Sequence, residues 1–155
     1  MRLSELLNST AITTRLNART KREAIAELVD LLENGHGLSS HGEILDRVLR
    51  REALLSTGIG NGIAIPHGKA RLVDRLVAAA GVSPEGVEFE SVDGEAATLF
   101  VLLVAPESGG ALHVKVLANI SRLLKEESVR QALREAGNAE AFVSALRAAE
   151  AVHIP

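Results

Sequence analysis

The sequence predicts a single α/β domain in three layers, with a mixed β-sheet covered by helices on both faces. Two apolar runs, "LVAAAGVS" at 76–83 and "TLFVLLVAP" at 98–106, are continuous rather than alternating and are bounded by Gly, Pro or charged residues. Strands covered on both sides read this way. Segments of helical spacing stand both before and after them, so covers exist for both faces. A chain of 155 residues, 46% hydrophobic and 24% charged, suffices for one substantial core and is crowded for two.

The first strong helix is "TKREAIAELVDLLENG". Thr20 and Glu23 form a capping box, Ile25, Leu28, Val29 and Leu32 recur at helical spacing, and Gly35 is the expected stop. "SHGEILDRVLRRE" repeats the device with Ser40 and Glu43, sets Ile44, Val48 and Leu49 on one face, and leaves Arg51 near its C-terminal end. The stretch "GIGNGIAIPHGK" follows, a glycine-flexed turn leading into a short strand "GIAIP" that delivers His67 between Pro66 and Gly68. Between the two apolar runs, Val87 and Phe89 alternate with Glu88 and Glu90 ahead of an Asp-Gly turn signal. From Gly110 onward the pattern is helical in three pieces, the last opening after Asn138 as a cap. No internal repeat, low-complexity tract or linker divides the chain.

Composition excludes several function classes. A net charge of -3 and the absence of Trp and Tyr give no footprint for nucleic acid. With no Cys, thiolate catalysis and sulfur-ligated zinc are excluded. The longest apolar run, "LFVLLVA", is too short to span a bilayer, and the N-terminus has no signal-peptide core, so a cytoplasmic protein without direct membrane insertion is expected. The glycine-rich stretch is not a nucleotide loop. Five residues rather than four separate Gly62 from Gly68-Lys69, Ala70 stands where a Walker loop needs Ser or Thr, and Ile63 stands where the dinucleotide fingerprint needs its third glycine.

What remains is a set of imidazoles and guanidinia. His67 occupies a Pro-His-Gly corner that leaves its ring accessible, against the ordinary alternative of a packing histidine in a tight turn. His113 lies three, four and seven residues before Val116, Leu117 and Ile120, so it points inward. A hydrogen-bonded core histidine is the ordinary reading there. Its place in the first turn after "PESGG", where backbone N–H groups favour an anion, makes it a phosphate partner in the other. Arg50 and Arg51 either complement the helix dipole or fork onto phosphate oxygens. His36 and His41, in "GHGLSSHG", have no convergent carboxylates or thiols beside them, and His153 lies in a frayed tail, so no metal and no cofactor are expected.

Taken together, "RREALLSTGIGNGIAIPHGKA", "GVEFESVDGEAATLFVLLVAPE" and "LHVKVLANISRLL" resemble the type-2 enzyme IIA domain of the bacterial phosphotransferase system. The form "STGIGNGIAIPHGK" is most similar to the nitrogen-regulatory branch of that family, a relative of the mannitol and fructose domains. The resemblance covers residues 3–148 and leaves 149–155 as a C-terminal tail. It departs from the family pattern at Val114, where Leu is usual after the second histidine. The resemblance implies that His67 is the phosphorylated histidine, with His113 and Arg51, which precedes Glu52, as the other active-site residues. It implies a phosphohistidine carrier charged by an HPr-type histidine phosphocarrier protein and acting on regulatory targets. The alternative is a sugar-specific component that passes phosphate to a IIB domain.

Overall fold

A computed structural model describes residues 1–108 and 110–154. Gly109 of the "PESGG" segment and Pro155 of the tail lie outside the described residues. Two short N-terminal elements that the sequence pattern does not mark come first: α1 (Leu3–Leu6) and, after a single 3-10 turn, β1 (Ile12–Thr13). The strong helix is α2 (Lys21–His36), with Thr20 and Glu23 forming the expected capping box. Its stop is two residues later than expected. Gly35 lies inside the helix against Ala11, where a Cβ would sit 2.7 Å from the Ala11 Cβ, and Gly37, at φ 64°, supplies the left-handed cap.

Helix α3 (Glu43–Leu54) starts without the expected Ser40–Glu43 capping box. Gly42 at φ 89° is its N-cap residue, and the Glu43 carboxylate is taken instead by the backbone N–H groups of Arg71 and Leu72, at 3.0 and 2.9 Å. The Ser40 hydroxyl accepts from the Ile44 N–H at 3.2 Å and donates to Glu33. Tertiary partners thus override a local signal.

The glycine stretch forms a hairpin, β2 (Gly58–Gly60) with β3 (Ile63–Ala64), turning through Gly60, Asn61 and Gly62, all at positive φ. The single strand expected to deliver His67 is two: β3 ends at Ala64 and His67 opens β4 (His67–Ala70). The two apolar runs are β5 (Val77–Val87) and β6 (Ala97–Pro106), paired antiparallel. Val87 and Phe89 are buried while Glu88 and Glu90 are not fully buried, as the alternation predicts, but the ladder stops at Val87 and residues 88–96 form a loop. The chain closes with α4 (Gly110–Leu124), α5 (Glu127–Arg134) and α6 (Ala139–His153), the last capped by the Asn138 side chain accepting from the Ala141 N–H at 2.8 Å. Helix α6 runs through residues 149–153, and His153 is its final residue rather than part of a frayed end.

Among the described residues the sheet has six strands in the order β1-β5-β6-β3-β2, with β4 also on β6. Strands β3 and β4 share one side of β6, parallel to it: β3 opposite Leu99 and Phe100, β4 opposite Leu103 to Pro106. Strand β6 is central, and its residues alternate between two cores. Leu99, Val101, Leu103 and Ala105 pack with Val116, Ile120 and Leu124 of α4 and with Phe142 and Leu146 of α6. Phe100, Leu102 and Val104 pack with Ile25, Leu28 and Leu32 of α2 and Ile44 and Val48 of α3. This is the three-layer α/β domain the sequence predicts, with a mixed sheet and helices on both faces.

Candidate functional site

Strand β4 places the first candidate side chain. Gly68 faces α3 so closely that a Cβ there would lie 3.3 Å from both the backbone N and the Cγ2 of Val48. Its neighbours His67 and Lys69 therefore face the other way, toward the start of α4, because successive strand residues alternate. The Pro66 carbonyl accepts the Leu103 N–H at 3.1 Å and locks the entry to the strand. The His67 ring is half-buried, with Nδ1 2.8 Å from the Ile65 carbonyl oxygen. A carbonyl only accepts, so Nδ1 carries the proton and the neutral ring keeps its lone pair on Nε2.

The second imidazole comes from the first turn of α4. His113 is 4% exposed, on the same face as Val116 and Ile120, as its spacing predicts. Its centroid is 5.3 Å from that of His67, with the rings at 75°. A core histidine is ordinarily hydrogen-bonded, yet Nδ1 of His113 is buried with no partner among the described residues. Removal from water is the largest effect lowering the pKa of both rings. For His67 the Arg51 guanidinium lowers it further, against the Ile65 hydrogen bond and the Glu52 carboxylate, which raise it. For His113 the positive charges of His67 and Lys69 add to burial and bring it to about 4. Both rings are neutral at pH 7.

Around them lies a cleft of about 830 Å³ between α3 and the N-terminal half of α4, with β4 along it. Arg47, Arg50, Arg51, Lys69 and Arg71 line it, against only two carboxylates, Glu43 and Asp46. Arg47 pairs with Glu107 at 2.9 Å, Arg50 with Asp46 at 3.0 Å and Arg71 with Glu43 at 3.6 Å. Arg51 and Lys69 have no carboxylate partner among the described residues. One Arg51 nitrogen, Nη1, donates to the Leu55 carbonyl at 2.9 Å, which is the helix-end role open to it from sequence; the guanidinium nevertheless lines the cleft. A site with unpaired cations, an α-helix N-terminus and a neutral imidazole nucleophile suits a dianionic group such as a phosphoryl.

The structure thus brings His67, His113 and Arg51 into one cleft. It leaves the other histidines elsewhere. His36 bonds the Ala78 carbonyl through Nε2 at 2.8 Å, and His41 is exposed at φ 51°. Sequence reasoning passed over Lys69 and Glu52. The alternation of β4 carries a signal for Lys69, two residues from His67. Glu52 is 6% exposed and stands four residues after Val48 and eight after Ile44, so the helical spacing that marks the apolar face of α3 carries a signal for its burial. Among the described residues no helix is long and apolar enough to cross a membrane.

Comparison with known proteins shows what the chain as a whole is similar to. The chain is 34% identical over 146 residues to the nitrogen regulatory protein of Bradyrhizobium diazoefficiens, covering 94% of this chain and 95% of that one. It is 36% identical over 143 residues to the fructose-specific EIIABC component of the Bacillus subtilis phosphotransferase system, covering 92% of this chain but only 22% of that longer protein. The crystal structure of the nitrogen regulatory protein IIA-Ntr from Neisseria meningitidis superposes with a TM-score of 0.85 at 31% identity, covering 92% of this chain and 97% of the other. Residues 5–149 match the family described as "Phosphoenolpyruvate-dependent sugar phosphotransferase system, EIIA 2", and the chain belongs to that family.

Proposed function

We propose that this chain is a cytoplasmic phosphohistidine carrier, that it accepts a phosphoryl group on Nε2 of His67 from an HPr-type histidine phosphocarrier protein, and that it acts as a regulatory IIA protein. The observation that carries the reading is the pairing of His67 with the Ile65 carbonyl, which leaves Nε2 unprotonated in a cleft lined by unpaired cations. In the transfer, the donor's N–P bond breaks as the Nε2–P bond forms, and the donor ring recovers its lone pair. The proton stays on Nδ1, and its hydrogen bond to the Ile65 carbonyl stabilises the positive charge that the phosphorylated ring acquires. Positioning and charge do most of the work in phosphoryl transfer. Arg51, Lys69 and the first-turn N–H groups of α4 supply charge stabilisation, and the His113 ring, edge-on to His67, holds the acceptor or donates to the phosphoryl oxygens.

A sugar-specific role, passing phosphate to a IIB domain, is the second reading, favoured by the 36% identity to a fructose-specific component. The test is incubation with phosphoenolpyruvate, enzyme I and an HPr-type donor, followed by intact-mass and phosphorus NMR measurement. The expected outcome is one acid-labile, base-stable phosphoryl group per chain and none in His67→Ala. Undiminished labelling of that variant would sink the assignment. Rapid onward transfer to a fructose-type IIB domain selects the second reading.

A further inference from the structure

We infer that Glu52 is a positioning residue for the His67 ring, acting through Thr57 and Ile65. Glu52 stands in the last turn of α3 and is 6% exposed, a burial that a solvated helix charge does not have. Its carboxylate takes both donors of Thr57: the backbone N–H donates to Oε2 at 2.8 Å and the hydroxyl donates to Oε1. The Lys21 ammonium completes the set at 2.9 Å from Oε2, held in turn by Glu90 at 3.1 Å.

Thr57 is the residue immediately before the β2–β3 hairpin, and Ile65 is the residue immediately after it. The Ile65 N–H donates to the Thr57 carbonyl at 3.0 Å, closing the open end of the hairpin. The next acceptor along is the Ile65 carbonyl, which holds Nδ1 of His67 at 2.8 Å. From the Glu52 carboxylate to the nucleophilic ring the path is three hydrogen bonds, each anchored in buried backbone. Thr57 is 4% and Ile65 3% exposed, so water does not compete at either. Strand β3 of the hairpin is held by β6 and by the burial of Ile63 and Ile65, and its β2 side enters through Thr57, where the base meets α3. Glu52 ties that base to α3, the helix that also carries Arg51. One helix thereby sets the ring and the guanidinium relative to each other, and the buried charge offsets part of the Arg51 repulsion felt by the ring. A buried carboxylate that orients a histidine through intermediate groups follows the logic by which outer partners fix ring orientation and tautomer elsewhere.

The inference rests on His67 as the acceptor, and its test reads the ring directly. Imidazole nitrogen shifts of His67 are measured by NMR, together with charging by an HPr-type donor, in the parent, Glu52→Gln, Thr57→Val and Thr57→Ser. The parent is expected to hold the Nδ1–H tautomer. Glu52→Gln and Thr57→Val are expected to shift His67 toward the Nε2–H tautomer and to slow charging about tenfold or more, whereas Thr57→Ser, which retains both donors, keeps the parental tautomer and rate. Thr57→Val changes one small side chain and serves if Glu52→Gln does not fold. Folded variants with the parental tautomer would overturn the inference even if they charged slowly, because that pattern is a structural defect alone. A parent that accepts no phosphate sinks the proposed function instead, and leaves the tautomer comparison standing.

Discussion

Burial lowers the basicity of both site imidazoles, and His113 falls to about 4 because His67 and Lys69 add positive charge beside a ring that is only 4% exposed. The consequence is a dependence of stability on pH. In the unfolded chain His113 titrates near its ordinary 6.5, and in the folded protein near 4. Between these values the unfolded state binds more protons, so stability is full above about 6.5 and is lost as pH falls toward 4. His67, lowered in the same direction, adds to the slope. Urea titrations of the parent and His113→Gln at pH 7.5 and pH 5 check this: the parent loses more stability on acidification than the variant does. On the proposed function, the same variant is expected still to accept phosphate at His67 but to exchange it at least about tenfold more slowly, equivalent to about 1.4 kcal/mol in the barrier. Parental exchange with a lowered melting temperature would make His113 structural. Arg51→Ala is expected to fold normally and to charge about tenfold more slowly; equal rates in stopped-flow transfer remove Arg51 from the mechanism.

Two elements, α3 and β4, determine whether those residues meet. Gly68 lets β4 approach α3 to within contact of Val48, and this approach turns His67 and Lys69 toward α4. Gly68→Val inserts a branched side chain where a single Cβ is already tight at 3.3 Å. The expected cost is about 1–3 kcal/mol, read as a lower urea midpoint at unchanged slope. Charging also falls, because displacement of β4 moves Nε2 away from Arg51. An unchanged midpoint would show that β4 rides on β6 alone. The hairpin before β4 obeys a different logic. Its tip is pinned from two sides, by the Asp93 carboxylate accepting the Asn61 N–H at 3.0 Å and by Arg134 of α5 donating to the Asn61 carbonyl at 2.9 Å.

At the scale of the whole molecule, the ends of the chain are joined. Glu150 of α6 is 1% exposed, and its carboxylate accepts the Ser4 hydroxyl and, at 3.1 Å, the Ser4 N–H at the start of α1. A chain ending at residue 148 loses this buried contact and strands two Ser4 donors. About 1–3 kcal/mol of destabilisation is expected, measured by urea denaturation against the parent. Equal stability would make residues 149–155 a tail outside the domain, where the sequence reading puts them. Between these ends, the alternation of β6 builds both cores from one strand, so Phe100 and Leu99 are each fully buried on opposite faces.

Local chemistry was enough to read α2, the two apolar strands, the inward face of α4 and the Asn138 cap, because each depends on residues within a few positions of one another. The same short-range reasoning put His67 in a restrained corner and His113 on a buried face. Whether the two rings would meet depended on β4 and β6 running parallel with His67 opposite Leu103, a pairing of residues far apart in sequence. Where local and distant partners competed, the distant ones won. Glu43 left its capping box for the Arg71 and Leu72 amides, and Gly35 was needed against Ala11 rather than at a helix end. Glu52 shows the limit most clearly. By itself the sequence determined that a carboxylate follows Arg51 at the end of a helix, on the face of Ile44 and Val48. Only the tertiary structure decided that it is buried against Thr57 and Lys21, because burial of a charge is settled by which groups from elsewhere in the chain arrive to satisfy it.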